Sequence, residues 1–172
     1  MKTLLIVLLL VIAGCLPSMP AYRVESTYDR FQAISRDEML NNIIGGYDFE
    51  RSTVTVNAGR HLIENQTRFS LEIRYSGKDW LFLNYSSREP VSFMIDGDVI
   101  DIPSAGGKYS SEVGNSGYVR EQWILPVDHA LIKKLGSALS VAIRLYGRDY
   151  YVERDFNNEN MSRFAEFATQ YQ

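Results

Sequence analysis

The sequence predicts an α+β fold, a mostly antiparallel curved sheet or incomplete β-sandwich with one helix near residues 127–138 and a C-terminal helix. Apolar residues alternate with period two through the middle of the chain, which is typical of half-buried strands. Short turns join these strands, and short connections favour antiparallel pairing. The apolar period lengthens to three and four residues only in two late segments, which we therefore predict to be helices.

The segment from residue 25 to residue 48 admits two interpretations. Residues 35–38, Ser-Arg-Asp-Glu, place a glutamate three positions after a serine, which is the pattern of a capped helix start. Residues 28–34 have the composition of a strand. Both interpretations stay open at the level of the sequence.

The next predicted strands are residues 53–56 and residues 69–75, and in the second the apolar residues at every other position share an inward face. A turn at residues 77–79 leads into residues 80–85, whose nearly continuous apolar character predicts a central strand. We expect the segments 69–75 and 80–85 to form an antiparallel hairpin, with Trp80 in the core.

A second hairpin is predicted where residues 91–95 and 99–102 flank Asp96 and Gly97. Asp-Gly is a strong hairpin signal because both residues tolerate a positive φ. The three carboxylates of Asp96, Asp98 and Asp101 raise the possibility of calcium, but the twelve-residue loop and its final glutamate are missing. Turn chemistry explains Asp96 and Gly97 without a metal.

A glycine- and serine-rich loop is predicted over residues 103–117, and a strand over residues 118–125 that stops at Pro126. Tyr109 and Tyr118 belong to this loop region, where we expect them to be exposed. Aromatic side chains are enriched in contact surfaces, so this loop is the candidate contact loop. The remaining tyrosines are expected to lie mostly in the core.

The helix at residues 127–138 has Asp128 near its amino end, where a carboxylate interacts favourably with the helix dipole. Residues 139–146 and 150–154 are rich in β-formers around a Gly-Arg turn and predict a third hairpin. The last element is an amphipathic helix that begins at residue 157 or 158 and ends near Tyr171.

The first fourteen residues have the pattern of a secretory signal: a positive start, an apolar run over residues 4–12, and small residues before Cys15. The run is shorter than the roughly 20 apolar residues that span a bilayer. Residues 11–15, Val-Ile-Ala-Gly-Cys, resemble the lipobox of bacterial lipoproteins, with isoleucine where that family usually has leucine. The resemblance implies cleavage before Cys15 and acylation of this cysteine.

The expected organisation is therefore a cleaved signal peptide at 1–14, a lipidated tether at 15–24 and a single α+β domain at 25–172. Leu16 follows the cysteine in place of the aspartate that tends to retain enterobacterial lipoproteins at the inner membrane. In a Gram-negative host this favours the periplasmic face of the outer membrane. The alternatives are a secretory signal cleaved later, near Ala21, and a eukaryotic secreted protein, for which three Asn-x-Ser/Thr tripeptides would be glycosylation sites.

The sequence contains no recognisable catalytic set. Two histidines, His61 and His129, lack the neighbouring ligands of a metal site, and the Gly-x-Ser-x-Gly, phosphate-loop and dinucleotide motifs are all missing. We therefore expect no metal and no cofactor. The formal net charge of −3 gives no basic excess for contacting phosphates, so nucleic acid is not an expected partner.

The predicted function is thus a membrane-anchored, non-enzymatic module of the bacterial envelope that binds another protein or a cell-wall polymer. The order of the predicted elements is similar to that of uncharacterised β-rich domains of bacterial envelope proteins, a similarity that implies no site residue. The alternative is a periplasmic hydrolase whose site is assembled only in the fold. A deep pocket with paired carboxylates, or His61 beside a hydroxyl group, would favour the enzyme.

Overall fold

Two antiparallel sheets and two helices organise the computed structural model, which describes residues 21–45, 52–86, 88–114 and 117–171. Within these ranges the bounds of the elements are β1 Arg23–Asp29, β2 Ile34–Leu40, β3 Ile43–Ile44, β4 Ser52–Ile63, β5 Gln66–Gly77, a 3-10 helix Leu83–Tyr85, β6 Val91–Ile95, β7 Asp98–Ile102, β8 Lys108–Val113, β9 Val119–Val127, α1 His129–Ser137, β10 Val141–Tyr146, β11 Tyr151–Asp155 and α2 Asn158–Gln170.

The large sheet has the strand order β1-β2-β4-β5-β9-β8, and the short β3 also pairs with β4. The small sheet has the order β11-β10-β6-β7, and every strand pair in both sheets is antiparallel. Neither sheet closes on itself. The predicted α+β class, with an open and mostly antiparallel arrangement resembling an incomplete sandwich, is therefore confirmed.

One face of the large sheet packs against the small sheet and the two helices. Alternate residues of β4 and β5 supply that face, because side chains in a strand point to opposite sides with period two. Phe93 of the small sheet contacts Phe156 at 6.2 Å between ring centroids, and Phe156 contacts Phe164 of α2 at 5.9 Å. These rings connect the small sheet to α2, and buried residues of both sheets and both helices form one hydrophobic core.

The predicted hairpin at Asp96 and Gly97 is confirmed, with φ values of +52° and +92° at the two turn residues. The helices α1 and α2 are also confirmed, and so is the hairpin formed by β10 and β11. Asn157 caps α2 through a reciprocal pair of hydrogen bonds with Asn160, which satisfies two otherwise unpaired N–H groups. Asp128 is the N-cap residue of α1, but its side chain makes no capping hydrogen bond.

The helix interpretation of residues 35–38 is wrong, because this segment lies in β2 and pairs with β1 across the whole hairpin. The predicted strand at residues 80–85 is also wrong: the chain there forms a loop and a 3-10 helix. β5 pairs instead with β9 and with β4, the latter through twelve register positions from Ser52 to Ile63 of β4.

Two boundaries differ from the prediction near β8 and β9. The loop expected over residues 103–117 contains β8, whose side chains are polar or charged apart from Tyr109 and Val113. The strand β9 continues through Pro126 to Val127, because β8 pairs no further along β9 than Ile124 and leaves that edge open. A proline is tolerated where its missing N–H faces no partner strand.

The expectation that most tyrosines lie in the core is wrong. Among the tyrosines that the structure describes, Tyr75 is buried at 3% exposure and the others are half-buried or exposed. Trp80 is half-buried and packs against the edge of the core. No helix within the described ranges is long and apolar enough to cross a membrane.

Candidate functional site

A buried carboxylate organises the loop between β5 and β6. Glu121 occupies an inward-facing position of β9, between the buried Val119 and Leu125, and its side chain has no exposure to solvent. Its oxygens accept hydrogen bonds from the backbone N–H groups of three consecutive residues, Leu81 at 2.6 Å, Phe82 at 2.9 Å and Leu83 at 2.8 Å. Consecutive N–H groups that converge in this way form an anion-binding concavity, filled here by a carboxylate of the same chain.

A phenol completes the hydrogen bonding of this carboxylate. The hydroxyl of Tyr109 donates to the second oxygen of Glu121 at 2.9 Å. Burial raises the pKa of Tyr109 to about 12, and the hydrogen bond to Glu121 acts in the same direction, so this hydroxyl keeps its proton at neutral pH. Hydrogen bonds to a charged acceptor are about twice as strong as neutral ones, which compensates the desolvation of Glu121.

The loop held by Glu121 has a strained backbone. Phe82 adopts the left-handed conformation, with φ +60° and ψ +52°, although it is not a glycine. Such a conformation costs about 1–3 kcal/mol and persists only where the surroundings enforce it. Leu81 and Leu83, on either side, are buried in the core, and Arg148 donates its backbone N–H to the carbonyl of Leu81 at 3.0 Å. The loop is therefore fixed both by packing and by hydrogen bonds.

This fixed loop presents a group of aromatic and basic side chains, which we call the aromatic patch: Trp80, Phe82, Tyr85, Arg148 and Tyr150. Trp80 and Phe82 stack at 6.0 Å, and Phe82 meets Tyr85 edge-on at 6.1 Å. The guanidinium of Arg148 lies 4.2 Å from the centre of the Phe82 ring, a cation–π contact. Tyr85 is 63% exposed and Tyr150 is 43% exposed, so the patch faces solvent.

The predicted contact residues do not belong to the aromatic patch. Tyr109 is half-buried in β8, packs on Trp123 at 5.5 Å and has its hydroxyl bound to Glu121. Tyr118 is also half-buried and lies immediately before β9. The expectation that both are exposed is therefore wrong. Tyr109 contributes to the aromatic patch indirectly, because its hydroxyl is bound to the carboxylate that holds the loop. The sequence signal that was missed is the acidic residue at position 121, at an inward position of a strand with otherwise apolar alternation.

The two histidines have different surroundings. His61 lies 3.2 Å from the hydroxyl of Ser70, through its Nε2 atom, on the face of the large sheet opposite the core. Gly59 is the register partner of Ser70 on β4, where a Cβ atom would lie 3.0 Å from the Ser70 oxygen and 3.3 Å from the His61 Nε2 atom. His129 instead stacks on Phe69 at 4.6 Å and lies 3.1 Å from the carbonyl of Ala168, which fastens α1 to α2.

Burial lowers the pKa of His61 below its usual value, and this effect exceeds the opposing attraction of the Glu38 carboxylate. The imidazole of His61 is therefore neutral at pH 7. The structure thus brings together a histidine, a hydroxyl group and a nearby carboxylate that are distant in the sequence.

The carboxylates near the Asp-Gly turn do not converge on a common point. Asp96 accepts hydrogen bonds from the backbone N–H groups of Leu139 and Ser140, both at 2.9 Å. Asp98 lies 3.8 Å from Lys134, and Asp101 lies 3.6 Å from Arg88. Within the part of the chain that the structure describes, no three metal-ligating side chains are grouped closely enough to hold an ion.

Comparison with known proteins adds no family: no protein-family model and no curated protein matches the sequence. The predicted signal peptide and Cys15 lie outside the described residues. The site is therefore defined by its own geometry.

Replacing Glu121 with glutamine is expected to loosen the loop. The amide retains one acceptor oxygen and turns its NH₂ group toward backbone donors, so the free energy of unfolding falls by about 1.5–3 kcal/mol. Urea unfolding measures this loss, and hydrogen exchange at Leu81, Phe82 and Leu83 should become faster. Glu112→Gln, at an exposed acid paired with Arg120, is the matched control. Equal exchange rates in both variants would contradict the role of Glu121.

The lowered pKa of His61 predicts a dependence of stability on pH. Because the unfolded state binds a proton more readily than the folded state, stability is complete above the ordinary pKa of 6.5 and falls as the pH drops below it. The free energy of unfolding, measured between about pH 7 and about pH 5, should fall less steeply with decreasing pH for His61→Gln than for the unsubstituted chain. Identical slopes would refute the prediction.

Proposed function

We propose that the chain is a lipid-anchored binding module of the bacterial envelope that contacts a partner protein through the aromatic patch. The observation that carries this proposal is the exposed group of aromatic rings on a loop whose backbone is fixed by the buried Glu121. Cys15 would hold the module at a membrane surface. A cell-wall polymer is the other ligand class that the experiment below distinguishes.

The composition of the aromatic patch supports a protein partner. Tryptophan, tyrosine and arginine are the residues that most often dominate the binding energy at protein interfaces, and they tend to lie near the centre of the contact. The patch contains all three types, with Phe82 between Trp80 and Tyr85. Charged residues other than arginine are depleted from interface cores, and none belongs to the patch.

The rigidity of the patch supports binding with little loss of conformational freedom. Immobilising a flexible side chain on association costs about 0.5–1.5 kcal/mol. The hydroxyl of Tyr150 already donates to the carbonyl of Trp80 at 3.2 Å, and Arg148 is already placed over Phe82. Most of this ordering has therefore occurred in the folded chain.

The anchor supports the same proposal from the sequence. A multiply acylated cysteine stays on a bilayer because each buried CH₂ group contributes about 0.8 kcal/mol. A module held in this way meets partners confined to the same envelope compartment, so a surface of modest size is sufficient for association.

A second candidate function is hydrolysis, favoured by the hydrogen bond between His61 and the Ser70 hydroxyl. Ser70 lies on β5 between Gly59 and Pro126 of its two neighbouring strands. Backbone N–H groups of a central strand are used in the sheet, so the backbone at Ser70 does not supply the paired donors of an oxyanion hole. The aromatic patch therefore supports binding better than this pair supports catalysis.

A fluorophosphonate probe separates the two functions, because it modifies serine hydroxyls that are activated by a neighbouring base. We expect the intact chain to stay unlabelled, as a Ser70→Ala variant must. Labelling of the unsubstituted chain that disappears in both Ser70→Ala and His61→Gln would establish the hydrolase instead.

The binding proposal is tested in a bacterial host that expresses the full chain, its Cys15→Ala variant and a Tyr85→Ala/Tyr150→Ala double variant. Intact mass and membrane fractionation should show an acylated Cys15 and loss of membrane attachment in Cys15→Ala. Crosslinking in native membranes should capture one reproducible partner with the unsubstituted chain and at least about tenfold less with the double variant. Tyr28→Ala, at a 65% exposed tyrosine on β1, is the matched control.

Purified cell-wall sacculi provide the other arm of this experiment. Cosedimentation that depends on Tyr85 and Tyr150, without a crosslinked protein, would replace the protein partner with a polymer. Equal capture by the double variant and by Tyr28→Ala would remove the patch from the proposal. An unmodified Cys15 in a soluble chain would contradict the lipid anchor, and the crosslinking result alone would then decide whether the patch binds a partner.

A further inference from the structure

A groove lies between the edge strand β7 and the helix α1. Its volume is about 550 Å³, and its apolar wall is formed by Ile100, Ile102, Val127 and Leu131. Ligand sites commonly measure about 300–1,000 Å³. A second cavity, on the outer face of the small sheet near Met94, holds about 100 Å³ and is too small by the same standard.

One side of β7 has no strand partner among the described residues, since β7 ends the small sheet and pairs with β6. Ile95 and Asp98 flank the two-residue turn and pair with each other. In an antiparallel ladder the hydrogen-bonded pairs then alternate, so Val99 and Asp101 direct their N–H and C=O groups away from β6. Asp101 also lines the groove, and Val99 lies two residues before it on the same strand edge.

The charges at the groove favour one type of occupant. Asp101 and Asp128 belong to its lining, and Asp98 adjoins it. The only cation in the lining described here is Lys134, while Arg88 lies 3.6 Å from Asp101, so Asp128 is the acid left for a cationic partner. The pair formed by Lys134 and Asp98 is exposed and 3.8 Å apart, so it neutralises little. Asp128 is exposed and has no ion pair within the described ranges.

From this arrangement we infer a second binding site: the groove accepts an extended, basic peptide segment of a partner protein as an added strand on β7. The backbone of the peptide pairs with Val99 and Asp101. Its alternate side chains lie against Ile100 and Leu131, as strand addition to an open edge requires. A lysine or arginine of the peptide meets Asp128.

The same charges oppose pairing between two copies of this chain. Edge-to-edge contact of β7 with itself would place Asp98 and Asp101 of one copy near those of the other. Like charges on paired strands are destabilising, and acidic residues on short edges are a common defence against self-association. The groove shares no residue with the aromatic patch, so this inference does not depend on the proposed function.

The test uses the full chain in detergent micelles and an acetylated octapeptide of alternating valine and lysine. The matched peptide of alternating valine and glutamate is the charge control. Fluorescence anisotropy should detect binding of the lysine peptide and not of the glutamate peptide. Backbone amide shifts of the unsubstituted chain should change first at Val99 and Asp101.

Variants separate the backbone contribution from the charge contribution. Val99→Pro removes one outward N–H at a 67% exposed edge position, where proline is tolerated, and should weaken binding about tenfold. Asp128→Asn should weaken binding at least about fivefold. Asp149→Asn, at an exposed acid in the turn between β10 and β11, should leave binding unchanged. Urea unfolding of each variant verifies that the fold is intact.

Failure of the lysine peptide to bind at millimolar concentration, or equal binding by Val99→Pro, Asp128→Asn and the unsubstituted chain, overturns the inference. Amide shifts confined to the aromatic patch also overturn it and locate the peptide elsewhere. Concentration-dependent dimerisation that Val99→Pro abolishes would identify a second copy as the occupant, which overturns the basic partner.

Discussion

The geometry of the candidate site depends on a single buried charge. Glu121 lies inside the core without an ion-pair partner in the described part of the chain, and backbone N–H groups with one phenol provide all of its hydrogen bonds. A carboxylate buried without such donors would be prohibitively costly. The same hydrogen bonds therefore fix the loop and make the burial of Glu121 possible. The left-handed backbone of Phe82 is one result of this arrangement.

The parts of the fold that follow local rules were predictable. Asp96 and Gly97 specify their hairpin because the turn requires positive φ at both positions. The start of the helix α2 and its apolar stripe are likewise encoded by residues of the helix and its immediate neighbours. In each case residues that are adjacent along the chain determine the structure, so no distant contact had to be known.

The errors occurred where distant contacts decide the structure. The apolar run at residues 80–85 has the composition of a strand, but three of its N–H groups donate to Glu121, about forty positions further along the chain, and not to a neighbouring strand. The segment at residues 35–38 carries a helix-start pattern that pairing with β1 and β4 overrides. The contact between His61 and Ser70 depends on the register of β4 and β5, and no sequence motif predicts this register.

The small sheet is assembled from two hairpins that are separate in the chain. The strands β6 and β7 come before β8, β9 and α1, whereas β10 and β11 come after them, and only the β6–β10 pairing joins the two hairpins. A pairing of such long range carries an entropic cost, because the long intervening segment must be closed into a loop. The aromatic patch combines the loop before β6 with the turn between β10 and β11, so it exists only after this closure. A partly folded chain in which the two hairpins have not yet paired lacks this surface, so an assembled patch marks a completed fold.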